Sequence, residues 1–278
     1  MRIVHVCAGW EENNGAARIA RLLMDEQTAQ GHETVARIWA SPGELKHTDE
    51  VWIHCAWKPC LWWAAWWGRR VVWVPEASYD PVRLGFHGWK KRLAGPFERW
   101  ALRRADRVLA TCEAEKNWIL RYEPRVKQVE VTDIKRFFRL DANKGLKGPK
   151  GQERRGALRA LYMGRAHPLK GLEYLERAVA ESGDRVELKV ASRVFGEEKE
   201  RIWDWCQVLV LPTLSDNFGL VVAEALERGK RVIVTDGAPA WGDGDTYGGR
   251  LKYVKGFLAA SDSGRTELLR EALAQENA

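Results

Sequence analysis

Apolar and polar positions along the chain follow two alternating patterns. Short runs of β-branched and other apolar residues alternate with longer segments whose apolar side chains recur at helical spacing. In the segment 16–30, one helical face carries Ile19, Leu22, Leu23 and Glu26, at i, i+3, i+4 and i+7. Gly31 follows as a helix terminator. Such alternation predicts a parallel α/β architecture. In the first half, the predicted strands are 3–7, 34–39, 51–55, 71–74, 108–111 and 126–131, and the predicted helices are 16–30, 89–104 and 114–121.

The pattern is interrupted between 143 and 156, where Gly, Pro and charged residues are joined by a single apolar residue, Leu146. This composition predicts an exposed linker between an N-terminal domain at 1–142 and a C-terminal domain at 157–278. We expect each half to form one Rossmann-like unit. In the second half, the predicted strands are 158–163, 186–190, 208–211, 231–235 and 250–254, and the predicted helices are 169–181, 197–206, 220–228 and 266–275.

Two cations follow the first strand of the second half. Arg165 and Lys170 lie in a loop and in the helical turn that Pro168 opens. Open α/β sheets bind ligands at the carboxyl ends of their strands, and helix N-termini favour anions. The loop is therefore a candidate diphosphate site. The alternative interpretation is a solvated basic loop.

A second candidate anion site follows the predicted strand 208–211. Gly219 opens a helix, so the amides of Phe218, Gly219 and Leu220 are predicted N-terminal donors for a phosphate. Asp216 precedes this helix and Glu224 lies in its second turn, where both carboxylates could accept hydrogen bonds from ligand hydroxyls. The alternative is an N-cap acid and a Glu on the exposed face of an amphipathic helix.

The two sites together carry a family resemblance. The motifs GRxxxxKGL and PTxSDNFGLVVAEALxxG resemble GRxxxxKG and PSxxExFGxxxxEAxxxG of the family-four retaining glycosyltransferases. The resemblance extends over about 1–240 and is strongest at 161–241, and it is closest to members that extend lipopolysaccharide or capsule chains. It implies the GT-B fold, in which two Rossmann-like domains face across a cleft, here as a compact variant with a shortened C-terminal domain.

The resemblance also implies roles for individual residues. Arg165 and Lys170 would hold the donor diphosphate and stabilise the departing nucleotide, and Glu224 would accept from the ribose hydroxyls. Asp216, where the family usually has Glu, would contact the transferred sugar. The segment Asn217–Leu220 would complete the donor cradle through its amides. Family members need no metal, so a nucleotide sugar is expected as substrate without any cofactor.

The acceptor side departs from the family pattern. Many members carry a His-Gly pair after the fourth strand, where this chain has PEASYDP, leaving Glu76 and Asp80 as candidate substitutes. Gly15, in the turn after the first strand, is a further candidate for acceptor or donor access, although this turn lacks GxGxxG and GxxxxGK[ST]. His5 and His54 lie inside apolar strands and are interpreted as core residues.

Composition narrows the possible cellular locations, metal sites and binding partners of the protein. No run reaches the ~18 apolar residues of a membrane span, and the first residues are typical of a strand rather than a signal peptide, so we expect a cytoplasmic protein. The five cysteines include no CxxC pair, which favours reduced thiols and no structural metal. The net charge of +7 could attract nucleic acid, anionic lipid or phosphorylated small molecules.

Tryptophan is unusually frequent, with 15 residues, of which 12 lie at or before Trp118. Paired Trp residues recur along the segment 60–70, which ends in Arg69 and Arg70. We expect these rings to pack in the core, because aromatic side chains fill space well. The alternative is a membrane-interface anchor with arginines on lipid phosphate, to which the basic cluster at 90–104 could contribute.

The leading functional hypothesis is sugar transfer from a nucleotide sugar to a glycan or lipid-linked glycan of the cell envelope or an exopolysaccharide. A second hypothesis is another GT-B enzyme, such as a nucleotide-sugar epimerase or a phosphorylase. A third is a basic module that binds membranes or nucleic acid without catalysis. Nucleic acid is not expected as a partner, because the Trp residues cluster in strands and one helix instead of alternating with Lys and Arg.

Overall fold

The computed structural model describes residues 1–11, 14–86, 88–140 and 156–277. Their contacts divide the chain into two compact units, Met1–Ile134 and Lys135–Ala278. The predicted linker at 143–156 lies outside the described residues except for Gly156.

The first unit is built on a six-stranded parallel sheet with the order β2-β1-β3-β4-β5-β6. Strands β3 and β4 are buried along their whole length, as expected of a parallel sheet covered on both faces. The strands are β1 Arg2–Cys7, β2 Glu33–Arg37, β3 Glu50–His54, β4 Val71–Val74, β5 Arg107–Ala110 and β6 Val129–Val131. The helices are α1 Gly15–Ala29, α2 Pro42–Lys46, α3 Pro59–Trp67, α4 Pro81–Gly85, α5 Gly88–Arg104 and α6 Glu113–Tyr122.

The second unit contains a five-stranded parallel sheet with the order β11-β10-β9-β7-β8. Its central strand β9 is entirely buried, and every pair of neighbouring strands is parallel. The strands are β7 Leu158–Met163, β8 Val186–Ala191, β9 Val208–Leu211, β10 Arg231–Thr235 and β11 Leu251–Val254. The helices are α7 Leu172–Ser182, α8 Gly196–Trp205, α9 Leu220–Glu227 and α10 Asp262–Asn277.

The predicted strands are confirmed, with ends that shift by up to three residues. The largest shift is in β6, which begins at Val129 instead of 126, because the Glu123 carboxylate accepts from the Arg125 amide and holds a turn before the strand. Helix α7 begins at Leu172 instead of 169, because Pro168–Lys170 form a 3₁₀ turn that ends at Gly171 in the left-handed region. The short helices α2 and α4 were not predicted.

The segment 135–140 packs on the second unit, although the sequence interpretation placed it in the N-terminal domain. Lys135 pairs with Asp243, and the Arg139 amide donates to Glu227 Oε1 at 2.8 Å. The Phe138 ring stacks on Phe218, with ring centroids 5.8 Å apart. The sequence gives no signal of this, since linker-like composition begins only at 143.

The tryptophans divide between core and surface. Trp73 on β4 is completely buried and donates its Nε1–H to the Cys55 carbonyl, as core packing predicts. The same interpretation is wrong for Trp63 and Trp66 on α3, whose exposed fractions are 38% and 57%. Helix α3 buries Cys60, Leu61, Ala64 and Ala65, while Trp62 and Trp67 are half-buried against the core, so only one indole of each pair is exposed. Among the described residues, no helix is long and apolar enough to cross a membrane.

Candidate functional site

Three loops meet at the carboxyl edge of the second sheet. The Leu169 carbonyl, in the loop after β7, accepts from the Leu214 amide and from Thr213 Oγ1, both at 2.9 Å. The Thr213 carbonyl accepts in turn from Thr235 Oγ1, at the end of β10, at 2.6 Å. The loops after β7, β9 and β10 therefore form one hydrogen-bonded platform where open α/β sheets bind ligands.

Two glycines let these loops approach each other closely. Gly171 has φ of 63°, and a Cβ placed on it would lie 2.0 Å from the Pro212 carbonyl oxygen. A Cβ on Gly237 would lie 2.0 Å from the Thr213 carbonyl oxygen. No side chain fits at such a distance, so the platform requires glycine at both positions.

Lys170 and Asp216, both predicted site residues, form an ion pair across this platform. Their side chains are only 17% and 19% exposed, and the Asp216 amide donates to the Gly237 carbonyl at 2.8 Å. Asp216 is thus not the N-cap of α9, as the alternative interpretation supposed, because Gly219 occupies that position. The pair places a positive and a negative group side by side at the sheet edge.

Arg165 is exposed beside this pair. Its carbonyl accepts from the Tyr162 hydroxyl at 2.9 Å, which ties the loop to the end of β7. Burial raises the pKa of Tyr162, the Asp216 carboxylate adds to this increase, and the Arg165 guanidinium opposes it. The charges of Arg165 and Asp216 therefore act on the same hydroxyl, which indicates that the structure brings them into one site.

The start of α9 supplies the predicted amide donors. Gly219 caps the helix with φ of 64°, and a Cβ there would lie 2.9 Å from Leu211 Cδ2. The amides of Phe218, Gly219 and Leu220 donate to no other residue in the described parts of the chain. The indole Nε1–H of Trp241 donates to the Phe218 carbonyl and fixes this turn. Asn217 is buried next to it.

Glu224 on α9 is buried, with 6% of the residue exposed. Its Oε2 lies 2.7 Å from the Lys199 ammonium of α8. The interpretation of Glu224 as a residue of a solvent-exposed helix face is therefore wrong. Lys199 was missed by sequence reasoning, and the available signal was its place in the first turns of the helix that follows the carboxyl end of β8.

On the first unit, the turn after β4 contains Glu76 and Asp80, both buried. Asp80 caps α4, and its Oδ1 accepts from the Val82 amide at 2.9 Å. Glu76 and Ala77 both have φ of 55°, which is costly for residues with a Cβ.

Two buried carboxylates hold this turn in place. Glu115 accepts from the Ala77 amide, and Glu98 Oε1 accepts from the Tyr79 hydroxyl at 2.5 Å. Strained backbone persists where surrounding contacts over-determine it, often at functional sites.

Gly15, the third acceptor-side candidate, is the first residue of α1 and is exposed. The side chain of its neighbour Asn14 caps the helix by accepting from the Ala16 amide at 3.1 Å. Nothing lies within 4 Å of a Cβ placed on Gly15, so its small size is not required by packing in the described residues.

His5 and His54 are completely buried core residues, but they belong to a polar chain that sequence reasoning missed. His5 Nε2 lies 2.7 Å from Gln27 Oε1, and His5 Nδ1 lies 2.9 Å from His54 Nε2. His54 Nδ1 lies 3.6 Å from Glu76 Oε1. Burial lowers the pKa of both histidines to about 3 and raises that of Glu76 to about 8.

In the parts of the chain that the structure describes, no group of three or more His, Cys, Asp or Glu side chains is placed to hold a metal ion. The positive groups at this edge of the sheet are the side chains of Arg165, Lys170 and Lys199 and the amides at the start of α9.

Two family descriptions match the chain, one in each half. The Glycosyl transferase 4-like domain matches residues 34–133, and the Glycosyl transferases group 1 domain matches residues 152–274. The two parallel α/β units have the fold of the GT-B class of enzymes. The chain belongs to the glycosyltransferase family that these two domains describe, which confirms the family indicated by the motifs at 161–241.

Solved structures share the fold at low identity. Sucrose-phosphate synthase from Thermosynechococcus elongatus has a TM-score of 0.66 and 16% identity, over 98% of this chain and 90% of its own. Anabaena HepE, solved with UDP-glucose, has a TM-score of 0.62 and 15% identity, over 99% of this chain and 95% of its own. WaaG, a glycosyltransferase involved in lipopolysaccharide biosynthesis, has a TM-score of 0.61 and 14% identity, over 99% of this chain and 91% of its own. A comparison with curated proteins gives no match.

Proposed function

We propose that this glycosyltransferase moves a sugar from a nucleotide-sugar donor to a cell-envelope or exopolysaccharide glycan, with retention of configuration and without a metal. The observation that carries the proposal is the platform of the second unit, where the Lys170–Asp216 pair lies in the loops that adjoin the amides of α9. A diphosphate needs cations and N–H donors, and a sugar needs a carboxylate acceptor.

The ion pair suggests how the donor is accommodated. Asp216 pairs with Lys170 and neutralises its charge. A diphosphate carries more negative charge than one carboxylate, so it would take over Lys170, with Arg165 as a second cation. The Asp216 carboxylate would then accept from hydroxyls of the transferred sugar. During transfer, the same cations would stabilise the charge that develops on the leaving diphosphate.

The nucleoside end is assigned to Glu224. A buried carboxylate that is already held by Lys199 can accept from a pair of ribose hydroxyls without first having to be ordered. Asn217, Phe218, Gly219 and Leu220 would line the phosphate side. HepE was solved with UDP-glucose, which makes uridine diphosphate sugars the first donors to test.

The acceptor is assigned to the first unit, at the turn that contains Glu76 and Asp80 and at the start of α1 around Gly15. The neighbour WaaG is described as a lipopolysaccharide enzyme, which supports a glycan or lipid-linked glycan of the cell envelope as acceptor. Because Asp80 already caps α4, we assign direct acceptor contact to Glu76 before Asp80.

A thermal-shift screen of UDP-, GDP- and ADP-sugars and their free diphosphates tests the donor assignment. A ligand at 100 times its dissociation constant stabilises the folded state by about 2.7 kcal/mol. Incubation of the best donor with and without glycan acceptors then separates the enzyme classes: an epimerase converts the donor without acceptor, and a phosphorylase requires phosphate. No shift with any nucleotide would overturn the proposal.

An exposed apolar surface on the first unit supports a second proposal, docking on the inner face of the cytoplasmic membrane. This aromatic face consists of Trp39, Trp63, Trp66, Trp89, Leu93 and Phe97, which are between 38% and 71% exposed. Trp89, Leu93 and Phe97 recur at four-residue spacing and so form one stripe along α5. The α3 indoles, Trp39 and Phe97 also line an apolar groove of about 580 Å³.

Charge favours a lipid surface as the partner of this face. Lys90 and Arg92 are exposed on α5 beside the stripe, and Arg69 and Arg70 are exposed directly after α3. Indoles at headgroup level together with basic side chains are typical of interfacial binding to anionic lipid. An exposed apolar face of this kind also marks an interaction site rather than an ordinary protein surface.

A further inference from the structure

Four buried polar side chains from four parts of the first unit form a line that ends at the acceptor-side turn. Gln27 comes from α1, His5 from β1, His54 from β3 and Glu76 from the turn after β4. The successive atom pairs are 2.7, 2.9 and 3.6 Å apart. None of the four residues is more than 6% exposed, so water does not compete for these groups.

The direction of the hydrogen bonds in this chain follows from its first member. Gln27 Oε1 can only accept, so His5 carries its proton on Nε2 and presents the lone pair of Nδ1. His54 must then donate from Nε2 and present the lone pair of its Nδ1. Glu76 Oε1 faces this lone pair, and neither atom has a hydrogen-bond partner among the described residues.

Two buried acceptors that face each other without a proton are unfavourable, because both have lost their contacts with water. One proton is therefore required between Glu76 and His54. On the carboxyl group it leaves two neutral residues, whereas on the imidazole it creates two buried charges. In an interior this apolar the neutral arrangement is favoured.

We infer that Gln27, His5 and His54 are positioning residues that keep a proton on Glu76, so that the turn presents a neutral carboxylic acid to the acceptor. The inference rests on the proposed function for the assignment of Glu76 to the acceptor side. Because the proton on Oε1 faces His54, the other carboxyl oxygen, Oε2, is left to accept a hydrogen bond from a hydroxyl of the acceptor, and the neutral group does not attract a cation into the site.

The groups around Glu76 shift its pKa in opposite directions. The Arg83 guanidinium of α4, which donates to the Glu76 carbonyl at 3.3 Å, favours the ionised carboxylate. Burial opposes it more strongly and raises the pKa of Glu76 to about 8. The Cys7 and Cys55 thiols interact with Glu76, and each has its own pKa raised by burial, so both remain neutral.

Glu115 of α6 completes these surroundings. Its pKa is raised by burial, and the nearby Glu76 adds to that increase. Two buried carboxyl groups that repel each other in this way disfavour double ionisation. Since Glu115 accepts from the Thr111 and Ala77 amides, it is the better-supported anion, and Glu76 is the one that keeps its proton.

Nuclear magnetic resonance of the chain labelled with ¹⁵N-histidine tests the inference without any enzymatic assay. We expect His5 and His54 to be neutral Nε2–H tautomers near pH 7, and Glu76, labelled at its carboxyl carbon, to titrate near pH 8. A charged imidazole, an Nδ1–H tautomer at either position, or a Glu76 carboxylate that is ionised at pH 6 would overturn it. These outcomes do not depend on what the protein transfers.

The pH dependence of kcat/KM tests the link to catalysis. We expect the wild-type profile to fall above pH about 8, and Glu76→Gln to lack this fall whatever its absolute rate. Gln27→Leu removes the acceptor that fixes the tautomer of His5. Both histidines can then switch tautomer, so that His54 donates to Glu76 and stabilises its ionised form, and the fall in kcat/KM should move to lower pH. Gln30→Leu, exposed at the end of the same helix, should leave the profile unchanged. Identical profiles for wild type and Glu76→Gln would overturn the catalytic link, whereas absence of any transfer would count against the proposed function.

Discussion

The ammonium of Lys199 on α8 lies 2.7 Å from the carboxylate of Glu224 on α9, and both side chains are at most 22% exposed. Each charge thus has its counter-charge within the second unit. Removing one member of a buried pair leaves the other charge uncompensated, which costs more than the pair itself contributes. The pair therefore couples the stability of the second unit to its proposed nucleoside site.

The first prediction concerns this pair. Glu224→Ala should weaken binding of the preferred free nucleotide by about 1.5–3 kcal/mol, because a ribose hydroxyl pair loses its charged acceptor. Glu224→Gln should give an intermediate value. Isothermal titration calorimetry measures the effect, with Glu176→Ala, at an exposed position of α7, as the control. Unchanged affinity in Glu224→Ala would leave Lys199–Glu224 as a purely structural pair.

The second prediction concerns the cations of the platform. Lys170→Ala and Arg165→Ala should each reduce kcat by roughly 100-fold or more, the scale expected when a positioned stabiliser of a developing anion is lost. Arg177→Ala, on the exposed side of α7, should retain the parental rate. Circular dichroism establishes that the variants are folded. Turnover at the parental rate in both site variants would refute the diphosphate assignment.

A third prediction separates close packing from backbone conformation. Gly171 and Gly229 have φ of 63° and 72°, but a Cβ would lie 2.0 Å from the Pro212 carbonyl oxygen at Gly171, whereas nothing lies within 4 Å of a Cβ at Gly229, in the turn that ends α9. Both Ala variants should lose about 1 kcal/mol of unfolding free energy through strain, and Gly171→Ala should lose distinctly more. Urea unfolding measures both. Equal losses would mean that the loops can separate without cost.

The sequence predicted those features that depend on local order along the chain. Strand ends place Arg165, Lys170 and Gly219 at one sheet edge whatever the details of packing, so these positions could be predicted from pattern alone. The partnership of Lys199 with Glu224 depends on how α8 and α9 approach each other, which no spacing in the sequence encodes. The same holds for the line from Gln27 to Glu76, whose members lie on separate elements.

The tryptophan cluster shows that composition does not predict which side chains of a helix are buried. Paired indoles in α3 are compatible with either a core or a surface helix, because their spacing fixes a common stripe but not the direction in which the stripe faces. The buried side of α3 carries Leu61 and Ala64, and each Trp pair has one half-buried and one exposed indole. The paired spacing alone does not predict which indole of a pair faces the core.

The fourth prediction follows from the pKa of Glu76, raised from 4.5 to about 8 in the folded chain. The folded state keeps this proton while the unfolded chain releases it, so the stabilisation is present at low pH and is lost as the pH rises to about 8. The histidines, with pKa values lowered to about 3, lose stability only below 6.5.

Between pH 6.5 and 8, wild type should therefore lose about 2 kcal/mol of unfolding free energy relative to Glu76→Gln. Chemical denaturation across this range measures the difference, with Glu113→Gln on the exposed side of α6 as control. Parallel curves for wild type and Glu76→Gln would show that Glu76 is ionised throughout.

The last prediction concerns the aromatic face. Leu93 and Phe97 are 71% and 62% exposed, so replacing either with Glu should leave the fold intact while it removes apolar contact and adds a charge that anionic lipid repels. Wild type should co-sediment with vesicles in proportion to their anionic lipid content and lose binding with salt, since each basic residue near the surface contributes about 1 kcal/mol. Leu93→Glu and Phe97→Glu should bind weakly, and Leu120→Glu, on an exposed position of α6, should bind like wild type. Docking through this face also places several indoles in lipid, so the tryptophan emission of wild type should shift to shorter wavelength on binding. Sedimentation that is equal for neutral and anionic vesicles, or an emission maximum that never moves, would assign the aromatic face to a partner other than a membrane.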